Sequence, residues 1–159
     1  QAYDNTIEYT DMWLDNLMDM LERSGRMAAV VYSSDHGEDI LDDSRGRFLH
    51  ASPTPTYYQL HVAMLSWVSD AYRDHYSEKY EQLKAHSESA VSSTASLFDT
   101  MLDLAGIDTV HSDLKLSLAS ESYERPEVLY LNDMNKGVDY AHCGLKKADL
   151  AIINQKSLL

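Results

Sequence analysis

A helix pattern that stops at a glycine and runs into a short apolar segment, itself ending in a tight polar cluster, constrains this chain most. Over residues 6–21, Ile7, Met12, Trp13, Leu17, Met20 and Leu21 recur mostly at three-, four- and seven-residue intervals, which places them on one face of a helix. Glu8, Asp11, Asp15, Asp19 and Glu22 fall on the other face, where like charges favour a solvated surface over ion coordination. Gly25 supplies a stop, and residues 27–32, with two adjacent valines, read as a short buried strand. Directly after it come Asp35, His36, Gly37 and Glu38, at the strand end where open α/β sheets leave a crevice for ligands.

The alternation continues. Residues 39–47 are polar and read as a loop, and Ser52, Pro53, Thr54 and Pro55 extend the irregular stretch, because proline lacks an amide donor and restricts its predecessor. A second strand is expected over 60–68. A charged helix follows over 70–86, with Tyr72, Tyr76, Tyr80 and Leu83 as its packing stripe. The serine-rich 87–96 stretch reads as linker and helix cap. The helix over 93–104 has Leu97, Phe98, Met101 and Leu102, then Ala105, on its apolar face, and Gly106 ends it. Beyond it, 107–110 reads as short strand or loop, 114–118 as an alternating apolar segment and 128–131 as a strand. Asn132, Asp133, Asn135 and Gly137 favour a turn, and 148–153 reads as an edge strand or short helix. This order predicts α/β/α layers around a mainly parallel sheet rather than a bundle.

Composition narrows the function. The 159 residues, 44% hydrophobic, support one modest core. Thirteen basic against twenty-six acidic residues leave a net charge of −13, which opposes non-specific attraction to nucleic acid or anionic lipid. No apolar run of about 18 residues is present, and Gln1 does not open a basic-then-apolar leader. The single cysteine, Cys143, allows no internal disulfide. Dinucleotide-binding, phosphate-loop, HExxH and nucleophile-elbow signatures are all missing.

Two readings of the polar cluster stand side by side. Asp35 offers a hard oxygen and His36 an imidazole nitrogen to zinc or another divalent ion, with Gly37 letting the backbone turn closely around them. Equally, Asp35 can satisfy loop amides and His36 can hydrogen-bond beside the sheet, with Glu38 facing water. Phe48 and Leu49 suggest that the loop returns to the protein body, bringing His50 to the same cluster. His61, inside an apolar run, reads as a buried neutral imidazole or as a substrate contact. His75, His86, His111 and His142 form no compact ligand pattern, and adjacency of His142 to Cys143 is weak grounds for thiol chemistry.

In order along the chain, the segments at residues 3–11 (YDNTIEYTD), 34–38 (SDHGE), Leu49-His50, 59–62 (QLHV) and 96–107 (SLFDTMLDLAGI) resemble the bacterial phosphoethanolamine transferases of the sulfatase and alkaline phosphatase superfamily. Residues 117–123 resemble the family's next segment, so the likeness covers most of the first 125 residues. It implies an incomplete α/β/α sulfatase-like domain, with residues 1–159 as the carboxyl-terminal portion of one catalytic domain. It further implies zinc held by Asp35 and His36, with Glu38 and Gly37 in supporting positions. His50 would be the catalytic histidine, holding the phosphoryl group or a second metal, and His61 a further substrate contact.

The parent protein implied by the resemblance is anchored in the inner membrane with its soluble domain facing the periplasm. It transfers phosphoethanolamine from phosphatidylethanolamine to lipid A, a core saccharide or a related glycan through a covalent threonine intermediate. In the family the nucleophilic threonine and an acidic zinc ligand lie upstream of the segment resembled by residues 3–11, so Thr6 and Thr10 are not the nucleophile. The chain alone is then expected to be inactive and to need the upstream catalytic segment and membrane domain. Three departures stand out: Ala63 where proline is frequent, Ala51 where glycine is, and Thr94 where histidine is. Related expectations are a phosphoglycerol transferase or a sulfatase-like hydrolase, and, outside enzymes, a structural or interaction fragment.

Overall fold

The computed structural model describes residues 2–50, 54–89, 91–131, 134, 136–139 and 142–155. The first helix, α1, spans Ala2–Arg23, and the first strand, β1, spans Ala29–Ser33. A small hairpin follows, with β2 at Asp39–Ile40 and β3 at Phe48–Leu49. Then come a single-turn helix α2 at Tyr57–Leu60 and strand β4 at Met64–Val68. Helices α3 (Asp70–His75), α4 (Ser77–His86) and α5 (Ser93–Leu104) come next. A 3-10 turn at Leu114–Leu116, strands β5 (Leu129–Leu131) and β6 (Gly137–Asp139), and helix α6 (Lys147–Gln155) complete the order.

The α/β class stands, but the mainly parallel sheet does not appear among the described residues. Their three ladders, β1 with β4, β2 with β3 and β5 with β6, are each two-stranded and antiparallel. The reason is the connection. Between β1 and β4 the chain makes a hairpin and one helical turn instead of the long crossover helix that a parallel return requires. Ala29 therefore pairs with Val68 and Ser33 with Met64, and one end of this pair carries the Asp35 cluster.

Buried Ser69 locks the opposite end. Its Oγ donates to the Arg26 carbonyl (3.0 Å), accepts from the Ala28 amide (3.0 Å) and caps α3 through the Tyr72 amide (3.2 Å). Tyr72, Leu104 and Ala119 form the core, with Val31, Val68 and Leu83 packed on it. The Tyr72 hydroxyl donates to the Leu104 carbonyl at 2.7 Å, and burial pushes its pKa up to about 12.

Several elements differ from their sequence expectations for local reasons. The 70–86 helix is two helices, because Tyr76 leaves helical geometry (φ −120°, ψ 52°) with its ring against Tyr72 (4.9 Å) and His75 (4.5 Å). The 60–68 strand shortens to Met64–Val68, since the Thr56 hydroxyl caps α2 by accepting from the Gln59 amide. Segment 107–110 is loop, 114–118 opens as a 3-10 turn, and 148–153 is helical. The turn expected at Asn132, Asp133 and Asn135, together with Ala51, Ser52 and Pro53, lies outside the described residues.

Helix α5 buries an unexpected face. Phe98 and Met101 are exposed, while Ser96, Asp99, Thr100 and Leu104 are buried. Polar residues serve here because the neighbouring segment brings amides: Asp113 N–H donates to Asp99 (2.7 Å) and Leu118 N–H to the Thr100 hydroxyl (2.9 Å). Gly106 then takes a left-handed conformation (φ +66°) and the Ile107 amide bonds back to Leu102 (2.9 Å), closing the helix end. On α1 only Leu14 is buried; Ile7, Met12, Trp13 and Met20 are more than half exposed.

Candidate metal centre

The β1 ladder runs one residue past the strand, with the Ser34 amide donating to the Ala63 carbonyl (3.0 Å), and Ser34 Oγ then donates to the His36 carbonyl (2.8 Å). The next residue meets a backbone wall. Gly37 N–H donates to the Gln59 carbonyl at 2.9 Å, and a Cβ at Gly37 would lie 1.9 Å from the Tyr58 carbonyl oxygen. Only glycine lets the polar cluster lie this close to α2.

His36 sits at the middle of the cluster. Its Nδ1 lies 3.1 Å from the Gly37 carbonyl and 3.8 Å from Glu38 Oε1, while its Nε2 lies 3.6 Å from Asp35 Oδ2. Glu38 Oε1 also meets His50 Nδ1 at 2.8 Å, and the two imidazole rings are 3.8 Å apart between centroids. Donor atoms of His36, Glu38 and His50 all fall within 4.8 Å of one another. Zinc bonds of about 2.0–2.2 Å put ligand atoms within about 4 Å of each other, so a small contraction closes this set. One detail favours a cation: Glu38 Oε2 is buried with no hydrogen-bond partner, a costly state for a carboxylate oxygen unless something positive meets it.

The sequence-predicted residues are therefore sorted by geometry. His36 and His50 come together as expected. Glu38, given a supporting position from sequence, lies within the compact donor group; the signal was its place two residues after His36. Asp35 stands at the edge, its side chain 87% exposed, facing the other ring nitrogen of His36. His61 is neither in a strand nor buried: it follows α2, is exposed, and stacks on Tyr57 (5.1 Å, 18°) outside the donor group. The Cys143 thiol is pushed up by burial, which works against thiolate chemistry. Among the described residues no second group of three donors gathers.

His50 arrives by a route other than the one anticipated. Phe48 and Leu49 are exposed; what returns the chain is the hairpin, with Asp39 opposite Leu49 and Ile40 opposite Phe48. Leu49 adopts a left-handed backbone (φ +68°) immediately before His50, a conformation that costs a leucine about 1–3 kcal/mol and persists only where its surroundings hold it. Buried Asp39 supplies one restraint, accepting from the Thr56 hydroxyl (2.8 Å) and from the Gln59 side-chain amide.

A second restraint went unseen in the sequence. Asp149 on α6 is fully buried. It accepts both Arg45 Nη atoms (2.8 Å each), the Tyr57 amide (3.0 Å) and the Lys146 amide (3.1 Å). Burial alone would raise its pKa, but Arg45 and the two amides more than offset that and hold the carboxyl below its ordinary value. Arg45 is held above its own by Asp149 and then Asp43. Stabilisation from a depressed carboxyl is fully present above the unfolded value and is lost as pH falls through the folded one. Between about pH 5 and about pH 3, the wild-type melting temperature is expected to drop further than that of Asp149→Asn, which carries no titrating group there.

A strand end that gathers two histidines and a carboxylate, with donor atoms within 4.8 Å of one another, offers ligands suited to a divalent metal ion. The Sulfatase family model matches residues 1–107, and the chain belongs to that family. The phosphoethanolamine transferase EptA of Salmonella typhimurium is 34% identical over 114 residues, covering 69% of this chain and 20% of that protein. Thus the chain spans about a fifth of the length of the curated relatives it matches. Among solved structures, the C-terminal periplasmic domain of EcEptC from Escherichia coli in complex with Zn superposes with a TM-score of 0.75 at 24% identity, over 92% of this chain and 40% of that one. The soluble domain of lipooligosaccharide phosphoethanolamine transferase A from Neisseria meningitidis gives 0.66 at 30% identity, over 78% and 37%. No described helix is long and apolar enough to cross a membrane.

Proposed function

We propose that this chain is the carboxyl-terminal portion of the catalytic domain of a zinc-dependent phosphoethanolamine transferase. The donor is phosphatidylethanolamine, the acceptor lipid A, a core saccharide or a related glycan, and the domain faces the periplasm from a membrane-anchored parent. The observation that carries the reading is the meeting of His36 and His50 at one oxygen of Glu38, whose other oxygen is buried with no hydrogen-bond partner, in a chain whose relatives bear that transferase name.

His36 is the central ligand, with Asp35 at one ring nitrogen, Glu38 at the other and the His50 ring 3.8 Å away between centroids. Bound there, zinc supplies Lewis acidity toward a phosphoryl oxygen and lowers the pKa of a hydroxyl nucleophile. The protein's own groups set the geometry. His50 Nδ1, which faces Glu38 Oε1 at 2.8 Å, would join Glu38 and His36 on the ion, leaving its Nε2–H, on a side chain 47% exposed, to donate to a phosphoryl oxygen. A threonine from the upstream segment attacks the donor phosphorus, the bond to the diacylglycerol oxygen breaks, and the acceptor oxygen then displaces the threonine.

The test is headgroup transfer by the intact protein. Label from phosphatidylethanolamine should appear on the glycolipid acceptor and pass through a protein-bound adduct. Label taken from phosphatidylglycerol instead would make it a phosphoglycerol transferase, and release of free headgroup without an acceptor product would make it a hydrolase. The 159-residue chain alone should transfer nothing.

A further inference from the structure

We infer that the carboxyl-terminal helix α6 positions the zinc donors: one buried carboxylate, Asp149, pins both the hairpin that carries Glu38 and His50 and the helix that backs Gly37. The inference rests on the zinc reading above and adds to it a region, residues 108–159, that the family match does not include.

The geometry runs as a closed chain of contacts. Glu38 precedes β2 and His50 follows β3, so the two donors terminate the two legs of one hairpin. In its tip, Arg45 bonds Asp43 and reaches across to Asp149 with both Nη atoms at 2.8 Å. The same Asp149 Oδ1 accepts the Tyr57 amide at the start of α2. From α2, Gln59 holds the Gly37 amide through its carbonyl and Asp39 through its side chain, and Thr56 holds Asp39 again.

Hairpin tip and helix start are thus fixed to a single point on an element about a hundred residues away in sequence. A planar guanidinium held at two nitrogens restrains orientation as well as distance. Because Leu49 and Leu41 both hold left-handed backbones (φ +68° each) in this hairpin, the tip restraint opposes a relaxation that would carry His50 away from Glu38. Asp149 and Arg45 touch no donor atom in these contacts; their role is positioning.

The experiment uses the intact protein, with Arg45→Lys as the mild variant, Asp149→Asn as the stronger one and His36→Ala as the control. Zinc affinity is measured by chelator competition, the visible absorption of the cobalt-substituted site reports ligand geometry, and circular dichroism reports folding. Loss of an outer support typically weakens metal binding by about 10- to 100-fold. Arg45→Lys is expected to weaken zinc about 10-fold and to alter the cobalt spectrum while the helical signal stays unchanged. Folded Arg45→Lys and Asp149→Asn proteins with wild-type zinc affinity and an unaltered cobalt spectrum would overturn the inference. Should Asp149→Asn fail to fold, Arg45→Lys decides alone. Wild-type protein that takes up no zinc displaceable by His36→Ala would instead overturn the metal reading itself, an outcome read before either variant is compared.

Discussion

His36→Ala should cost the intact protein more than about 100-fold in zinc affinity, since it removes a donor rather than a support. The ring has Asp35 on its Nε2 side and Glu38 on its Nδ1 side, with the His50 ring 3.8 Å away between centroids. Two other imidazoles are engaged elsewhere: His61 stacks on Tyr57, and His86 bonds the Leu118 carbonyl. Stability should change little, because the side chain is more than a third exposed and makes no core contact. Asp35→Ala tells which face of His36 the ion uses. Loss of zinc comparable to His36→Ala places it at Nε2, whereas near-normal binding together with loss in Glu38→Gln places it at Nδ1. Equilibrium dialysis with metal analysis, run beside a thermal melt, reads both quantities.

Gly37→Ala is expected to be the most destabilising single substitution at the centre. An added Cβ would stand 1.9 Å from the Tyr58 carbonyl oxygen and 3.0 Å from that of His61. Both neighbours are backbone, so no side chain can rotate away, and the Gly37 to Gln59 hydrogen bond must break as the strands of the loop part. A cost of about 3 kcal/mol or more follows for such overpacking, which in a chain of this size lowers the melting temperature by roughly 6–12 °C. Zinc affinity should fall with it, because Glu38 moves with the backbone. A melting temperature within about 2 °C of wild type would show that α2 yields more readily than its contacts indicate.

The parts of this molecule legible in its sequence were those governed by short-range rules. Apolar spacing located α1 and α5, two adjacent valines located β1, and Gly106 ended its helix where the left-handed turn requires it. The Asp35 cluster was visible because chemistry-bearing residues followed a strand directly, and ordered motifs added His50. What escaped were consequences of long-range partnership. The inner face of α5 is polar because distant amides come to meet it, and no periodicity announces that. Asp149 reads as an ordinary helix acid until Arg45, a hundred residues earlier, is seen against it. Glu38 was given a supporting position because a carboxylate beside two histidines can serve either as donor or as brace, and its buried, unpartnered oxygen is a feature no sequence pattern announces.

The hairpin between Glu38 and His50 also limits how such a sequence can vary. Most surface loops absorb inserted or deleted residues cheaply, since their ends stay where the scaffold holds them. Here both ends bear donors and the tip is itself tethered through Arg45, so a change in length has no slack in which to hide. Evolutionary drift between residues 41 and 47 should therefore proceed by exchange of side chains at constant length.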